Sequence, residues 1–451
     1  MAKRLFAAFL LLILSGVFGG SALAQAPARG PMAAPTAHVE VAPLPPAGVA
    51  HFDAMKATDA YLATISPKDK ARSDAYFEGK YVLQLVDLLY GLAVAAILLW
   101  LHLSSGMRNF ATRITRYRFL QVPIYVVQYV VVTTVLTLPL MIYEGFYREH
   151  QYGLSNQTFL QWAGEQGISF LVSLVAFTVL LTVIYSVARK AQRYWWVWGA
   201  GITIAFMMFF IMISPVYIAP LFNNYTPLPD SAMKSAILSM AHSNGIPADD
   251  VYAFDASKQS KRVSANVSGL FGTTRISLND NLLNRCTPSE ILHVMGHEMG
   301  HYVMNHIVII LTWFGMLILL GFWFIDKAFH WLLKLFGKRW GVESLGDPAG
   351  LPVIMALLSV YLFLMTPVTN TIIRTQEVQA DLFGLNLARQ PDGAAKADLK
   401  LVEYRKADPG PIEEFIFFDH PSARSRILMA MRWKAEHIND PDIMAGPISP
   451  Q

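Results

Sequence analysis

Six stretches of this 451-residue chain are long and apolar enough to cross a bilayer, near 82–104, 119–143, 167–188, 194–219, 305–326 and 350–368. A hydrocarbon core of about 30 Å needs about 20 apolar residues in a helix. In lipid every backbone polar group must also be bonded within the protein, which restricts spanning segments to helices or closed barrels. The expected fold is therefore an α-helical polytopic membrane protein. Pro123, Pro139 and Pro367 lie inside or at the ends of these runs, where neighbouring helices can satisfy the freed carbonyls. Only 15% of residues are charged, against about a quarter in soluble domains. The net charge of +4 is too small over this length to suggest a nucleic-acid partner, and the single cysteine, Cys286, excludes a disulfide scaffold.

Lys3 and Arg4, the apolar run Leu5 to Phe18, and Ala22-Leu23-Ala24 describe a signal peptide cut before Gln25; the alternative is a first transmembrane helix. A Pro/Ala-rich tether follows, within a leading segment 25–81. The expected order continues with four membrane helices over 82–219, a polar domain over 220–304, two more helices over 305–368, the second polar part over 369–435 and a tail. Eleven basic residues occupy three short loops: Arg108, Arg113, Arg116 and Arg118; Arg189, Lys190 and Arg193; Lys327, Lys334, Lys338 and Arg339. The short opposing loop has only Arg148. The positive-inside bias puts the three basic loops in the cytoplasm of a bacterial cell, and both polar parts on the periplasmic side of its inner membrane.

The polar parts carry the chemistry. Thr287-Pro288-Ser289-Glu290 reads as a capping box with proline at the first helical position. The helix it opens holds His297-Glu298-Met299-Gly300-His301. Residues four apart share a face, so His297 and His301 can turn one ring nitrogen each toward a single zinc ion. Glu298 is then placed to take a proton from water at that metal. By chance, such a motif arises on the order of once in a hundred chains of this composition. A catalytic zinc takes a third protein ligand and keeps its fourth position open. Glu377 and Asp381, again four apart, offer a ligand and a partner that steadies a ligating histidine. Cys286 precedes the cap, has no cysteine partner, and is expected to be inert.

These residues resemble metallopeptidase family forty-eight, and within it the type I CAAX prenyl endopeptidases. The likeness rests on His297-Glu298-Met299-Gly300-His301 with Asn305-His306, and on Glu377 and Asp381 preceded by Arg374. Further matches are Tyr152-Gly153-Leu154-Ser155-Asn156-Gln157-Thr158, Pro220-Leu221-Phe222-Asn223 with Thr226-Pro227-Leu228, the run Arg275 to Leu283, and His420-Pro421 with Arg426. The resemblance implies a gluzincin-like zinc endopeptidase domain with a small β-sheet, and six or seven membrane helices around a chamber. It implies one zinc per chain on His297, His301 and Glu377, with Glu298 as general base. It also implies that Asp381 orients a ligand, that His420 and Arg426 lie near the developing oxyanion, and that Asn266 holds substrate backbone along an edge strand. Ile373 stands where the family usually has serine, and Val267 where it has an aromatic residue. Substrates on this reading are peptides or membrane-associated proteins, lipidated ones included, met at the bilayer. An envelope quality-control protease would share the same motifs; a transporter or receptor with a structural metal would need a fourth protein ligand.

Other residues are expected to be structural. His293 reads as a partner histidine, His306 as interfacial, Asp87 as the solvated end of a span, and the Trp195 and Phe322 runs as facing lipid. Val251–Phe254, Val263–Val267 and Arg275–Leu278 read as three strands.

Overall fold

A computed structural model of the chain describes residues 52–268 and 274–444. The signal-like segment and nearly all of the tether lie outside the described residues. Helix α1 (Ala54–Leu62) starts where the Asp53 carboxylate accepts the Met55 and Lys56 amides. Helix α2 (Pro67–Trp100) begins at Pro67 behind the Ser66 cap. It ends four residues before the apolar run does, because His102 takes a left-handed conformation and turns the chain into α3 (Leu103–Ile114). Then come α4 (Arg118–Ile142, prolonged through a π-helical turn to Gln151), α5 (Phe159–Lys190) and α6 (Trp195–Ile213).

The first polar part combines four short strands with three helices: β1 (Tyr225–Pro227), α7 (Ala232–Ser243), β2 (Val251–Phe254), β3 (Ala265–Ser268), β4 (Arg275–Asn279), α8 (Asp280–Arg285) and α9 (Pro288–Val303). Its sheet has the order β1-β2-β4-β3, with β2 and β4 parallel and the outer pairs antiparallel. The expected strands are present, β3 starting two residues late. The short β1, containing Pro227, joins them at an edge, where a missing amide costs no ladder bond. The sheet, α7 and α9 share one core around Ile237, Val251, Ile276, Leu278, Met295 and Met299.

Helix α10 (His306–Trp340) and helix α11 (Leu351–Ala388) follow, then α12 (Pro391–Leu401), α13 (Pro411–Phe417) and α14 (Ala423–Glu436). Six helices among the described residues are long and apolar enough to span a membrane. α11 does not stop at the end of its apolar run; it continues unbroken to the residues that resemble a metal site. Glu377 lies 26 residues past Leu351, about 39 Å along the helix axis. At the other end the basic loops gather: Arg108 donates to Asp347 and the Gly341 carbonyl, and Arg189 donates to the carbonyls of Gly346 and Arg118. The two polar parts thus meet at the end remote from the basic loops.

Between the helices lies a mostly apolar cavity of about 440 Å³, reaching from Trp195 and Ile325 to Asn370, Ile373 and Asp419. Asp87 faces this cavity and is not a solvated helix end. Trp195 also departs from expectation: it is buried, and its indole N–H donates to Asp326 at 2.6 Å. A polar indole edge needs an acceptor in the helix interior, and Asp326 supplies it. Trp198 and Trp323 are exposed on the apolar surface, as expected.

Candidate metal centre and active site

Helix α9 carries the predicted capping box, with the Thr287 amide donating to Glu290 at 2.8 Å. Its face toward α11 is cut down to glycine. A Cβ on Gly384 would stand 2.8 Å from the His297 amide nitrogen, and one on Gly300 would meet Phe383 and Ala380 at 3.1–3.2 Å. Gly296 meets Gly384 in the same way. Gly300 therefore makes room for the neighbouring helix and not for the metal. This close approach brings Glu377 and Asp381, more than seventy residues away in sequence, against His297 and His301.

The result is a compact donor set. The Nε2 atoms of His297 and His301 lie 3.1 Å apart, and Glu377 oxygens lie 3.3 Å from the first and 3.5 Å from the second. Tetrahedral zinc with bonds of about 2.0–2.1 Å sets its ligand atoms about 3.3–3.4 Å apart, so these spacings fit the ion. All three residues are buried. Glu377 Oε2 and Glu298 Oε2 are buried without a hydrogen-bond donor among the described residues. Such orphaned oxygens cost about 1–3 kcal/mol each unless something else binds them. A bound dication and its water would fill that need. Burial pushes the Glu298 carboxyl up to about 8, which leaves it a stronger base than an exposed glutamate. Burial alone would lower the His297 imidazole, yet the Asp381 carboxylate that accepts from it and the Glu377 carboxylate beside it raise it to about 10. The carboxylates around it call for a positive charge at this point, which zinc supplies.

Each ligating ring is held from behind. His297 Nδ1 donates to Asp381 at 2.8 Å. His301 Nδ1 meets His306 Nδ1 at 2.8 Å, and His306 Nε2 donates to Gln379 Oε1 at 3.1 Å. With His301 donating to His306, both rings take the tautomer that leaves Nε2 of the ligand free for metal. His306 is fully buried and is not the interfacial residue expected. The reason is Asn305, whose left-handed backbone breaks the helix and folds the next residue back under the site. Asparagine before that histidine was the one available signal, since it tolerates this conformation. His293 is buried on the same helix and pushed down to about 3 by desolvation, a neutral ring within the core.

Arg426 also departs from expectation. Its Nε donates to Asp381 at 2.8 Å, a second nitrogen bonds the same carboxylate, and the third lies 3.1 Å from Asp398. All three guanidinium nitrogens are engaged, so it supports Asp381 and is not free to meet an oxyanion. His420 stands beside the ligands, Nε2 3.3 Å from Glu377 and Nδ1 donating to Asp419 at 2.8 Å. Asn266 is buried on β3, an edge strand that packs beside α9. Cys286 takes no part: it is half-buried, and burial pushes its thiol up to about 11.

Residues 227–434 match the profile of peptidase family M48, and residues 51–224 match the CAAX prenyl protease N-terminal family of five membrane helices. A Bacillus subtilis protein, the uncharacterized metalloprotease YhfN, is 34% identical over 378 residues, covering 83% of this chain and 88% of that protein. The chain belongs to peptidase family M48. It is an integral-membrane zinc metalloendopeptidase, not a transporter with a structural metal. Saccharomyces cerevisiae CAAX prenyl protease 1 is 28% identical over 312 residues, 65% of this chain and 68% of the yeast protein. The crystal structure of S. mikatae Ste24p has the same fold, with a TM-score of 0.68 at 22% identity over 84% of this chain and 94% of that one.

The supporting partners give a graded prediction. His306→Phe and Asp381→Asn leave all three ligands in place, so each is expected to weaken zinc affinity by about 10- to 100-fold without abolishing it. Competition with a fluorescent chelator measures this. Wild-type affinity in His306→Phe would make the histidine pair a packing contact only.

Proposed function

We propose that this M48 enzyme cuts peptide segments of membrane-associated polypeptides on the extracytoplasmic side of the membrane. The observation that carries the proposal is the placement of the site: His297, His301 and Glu377 converge at the end of the helices remote from the basic loops, close to Asp419 and Ile373 at the cavity's edge.

The roles we assign follow from position. His297, His301 and Glu377 would hold the zinc ion, which when bound would supply Lewis-acid polarisation of water and the scissile carbonyl. Glu298 takes a proton from the attacking water and returns it to the leaving amine. His420, fixed through Nδ1 by Asp419, presents Nε2 toward the developing oxyanion. Asp381 holds the His297 ring, and Arg426 holds Asp381. Substrate backbone lies along β3 as an added strand, which grips a peptide largely without regard to its sequence, with Asn266 as a contact. An apolar cavity beside the site suits a substrate that carries an acyl or prenyl chain or a membrane-embedded segment. The yeast relative is a CAAX prenyl protease by name, and for this chain the orientation argues for a different set of substrates.

Orientation has a direct test. Inverting the molecule would carry eleven basic residues across the membrane, which the positive-inside bias opposes. Alkaline phosphatase fused after residue 451 is expected to be active, because it folds only in the oxidising periplasm. A green fluorescent fusion at the same place, exported through the general secretion pathway, is expected to be dark. An inactive phosphatase with a bright fluorescent fusion would place the site in the cytoplasm.

A further inference from the structure

The polarity of α13 (Pro411–Phe417) is inverted. Its carboxylates turn into the protein: Glu413 accepts from Tyr81 Oη at 2.9 Å and pairs with Lys406 at the same distance, and Glu414 accepts from the Ser422 amide at 2.8 Å. Its apolar side chains turn outward: Ile412 is 74% exposed and Phe415 53%. Residues three apart share a helix face, so these two form one apolar edge. A helix on the wet surface of a domain turns the other way, with its apolar stripe to the core and its charges to solvent. Single exposed apolar residues are ordinary. An exposed apolar edge on a helix that hides its own carboxylates is not.

The position of α13 supplies the reason. The helix is fastened between two membrane spans. On α11, the Asn370 side chain donates to the Ile416 carbonyl at 2.8 Å, and Arg374, one turn further on, donates to the carbonyls of Glu414 and Phe418. On α2, the Tyr81 ring stacks on Phe417 with centroids 3.9 Å apart. Asn370 lies 19 residues past Leu351 on one unbroken helix, about 28 Å along its axis. A hydrocarbon core is about 30 Å thick, so α13 packs on α11 where the core gives way to headgroups. α2 marks the same level, since Tyr81 is the last residue before the apolar run of that span. From there the outer surface of the spans continues through Val82 and Leu85 on α2 and through Val368 and Leu364 on α11, all exposed. Aromatic residues gather at this depth of a bilayer, and Tyr81, Phe415 and Phe417 stand there.

We propose that α13 is an interfacial helix whose Ile412–Phe415 edge is seated in the bilayer, at the boundary between headgroups and acyl chains on the side of the zinc site. The lipid surface is the partner, because this edge lies at the rim of the lipid-facing surface of α2 and α11 and extends it. A short amphipathic helix lying in that plane buries its apolar face among the upper acyl carbons. Phe418, Asp419 and His420 follow α13 directly in the chain, so the seat also ties that loop to the membrane. Such a seat is a property of the fold and stands whichever substrate the site cuts.

Spin labels on the full chain, in nanodiscs of phosphatidylethanolamine and phosphatidylglycerol, test the seat. In a Cys286→Ser background the nitroxide is attached after Ile412→Cys or Phe415→Cys. Val368→Cys serves as the lipid-facing reference, and Asp230→Cys, exposed in the first polar part, as the aqueous one. One zinc per chain checks the folding of each variant. Power saturation is expected to show faster collision with oxygen than with a water-soluble nickel chelate at 412 and 415, the same sign as at 368 and the opposite sign to 230. The unaltered chain gives a second reading: a phospholipid with a diazirine high on its acyl chain is expected to crosslink within 411–417. Labels at 412 and 415 that favour nickel overturn the seat and leave the edge in water. A chain crosslinked on its spans but not within 411–417 overturns it as well. Labels shielded from both oxygen and nickel give the face to a protein partner, which also overturns it.

Discussion

Glu298→Gln is expected to keep one zinc per chain while peptide hydrolysis falls by about 10²- to 10⁴-fold. Glutamine has nearly the same shape, and Glu298 is not among the three residues whose donor atoms converge. The substitution therefore leaves the ligands untouched and removes only the base. Burial that raises the Glu298 carboxyl to about 8 marks it as a group able to both accept and return a proton near neutral pH. An inductively coupled plasma measurement of zinc, paired with a peptide assay on the same sample, separates metal loss from loss of chemistry. Near-wild-type turnover in Glu298→Gln would assign the proton transfer to another group.

Glu377→Ala is expected to have the second large effect, through the metal. Removing this carboxylate leaves two imidazoles where catalytic zinc uses three protein ligands. It also leaves His420 and both ligating histidines facing a void where Glu377 oxygens now stand 3.3–3.5 Å away. Zinc content is expected to fall well below one ion per chain and activity to fall with it. Full occupancy in Glu377→Ala would pass the third position to a different donor.

Much of this site is legible in the sequence because its parts are local. His297 and His301, like Glu377 and Asp381, are pairs four residues apart, and the cap at Thr287 says where the first helix begins. What brings the pairs together is not local. The contact depends on Gly296, Gly300 and Gly384 lying opposite one another across two helices, and a glycine in sequence does not say what approaches it. Arg426 is legible as a site residue but not by role, because its direction is set by two carboxylates, Asp381 and Asp398, on different helices. His306 is hidden by a helix break one residue before an apolar run, where an interfacial position is the simpler expectation. The six spans are legible from length and apolarity alone. That α11 carries the third ligand on the same unbroken helix is not, since its polar half reads as a separate segment. The cavity belongs to no single stretch and emerges only from the packing of all the spans.

The most direct test of the account measures zinc content and peptide hydrolysis side by side in the wild type, Glu298→Gln and Glu377→Ala, each purified as the full chain in lipid nanodiscs. The account predicts one zinc with activity in the wild type, one zinc without activity in Glu298→Gln, and neither zinc nor activity in Glu377→Ala. Activity that survives in Glu377→Ala, or a zinc-loaded wild type no faster than Glu298→Gln, would contradict it.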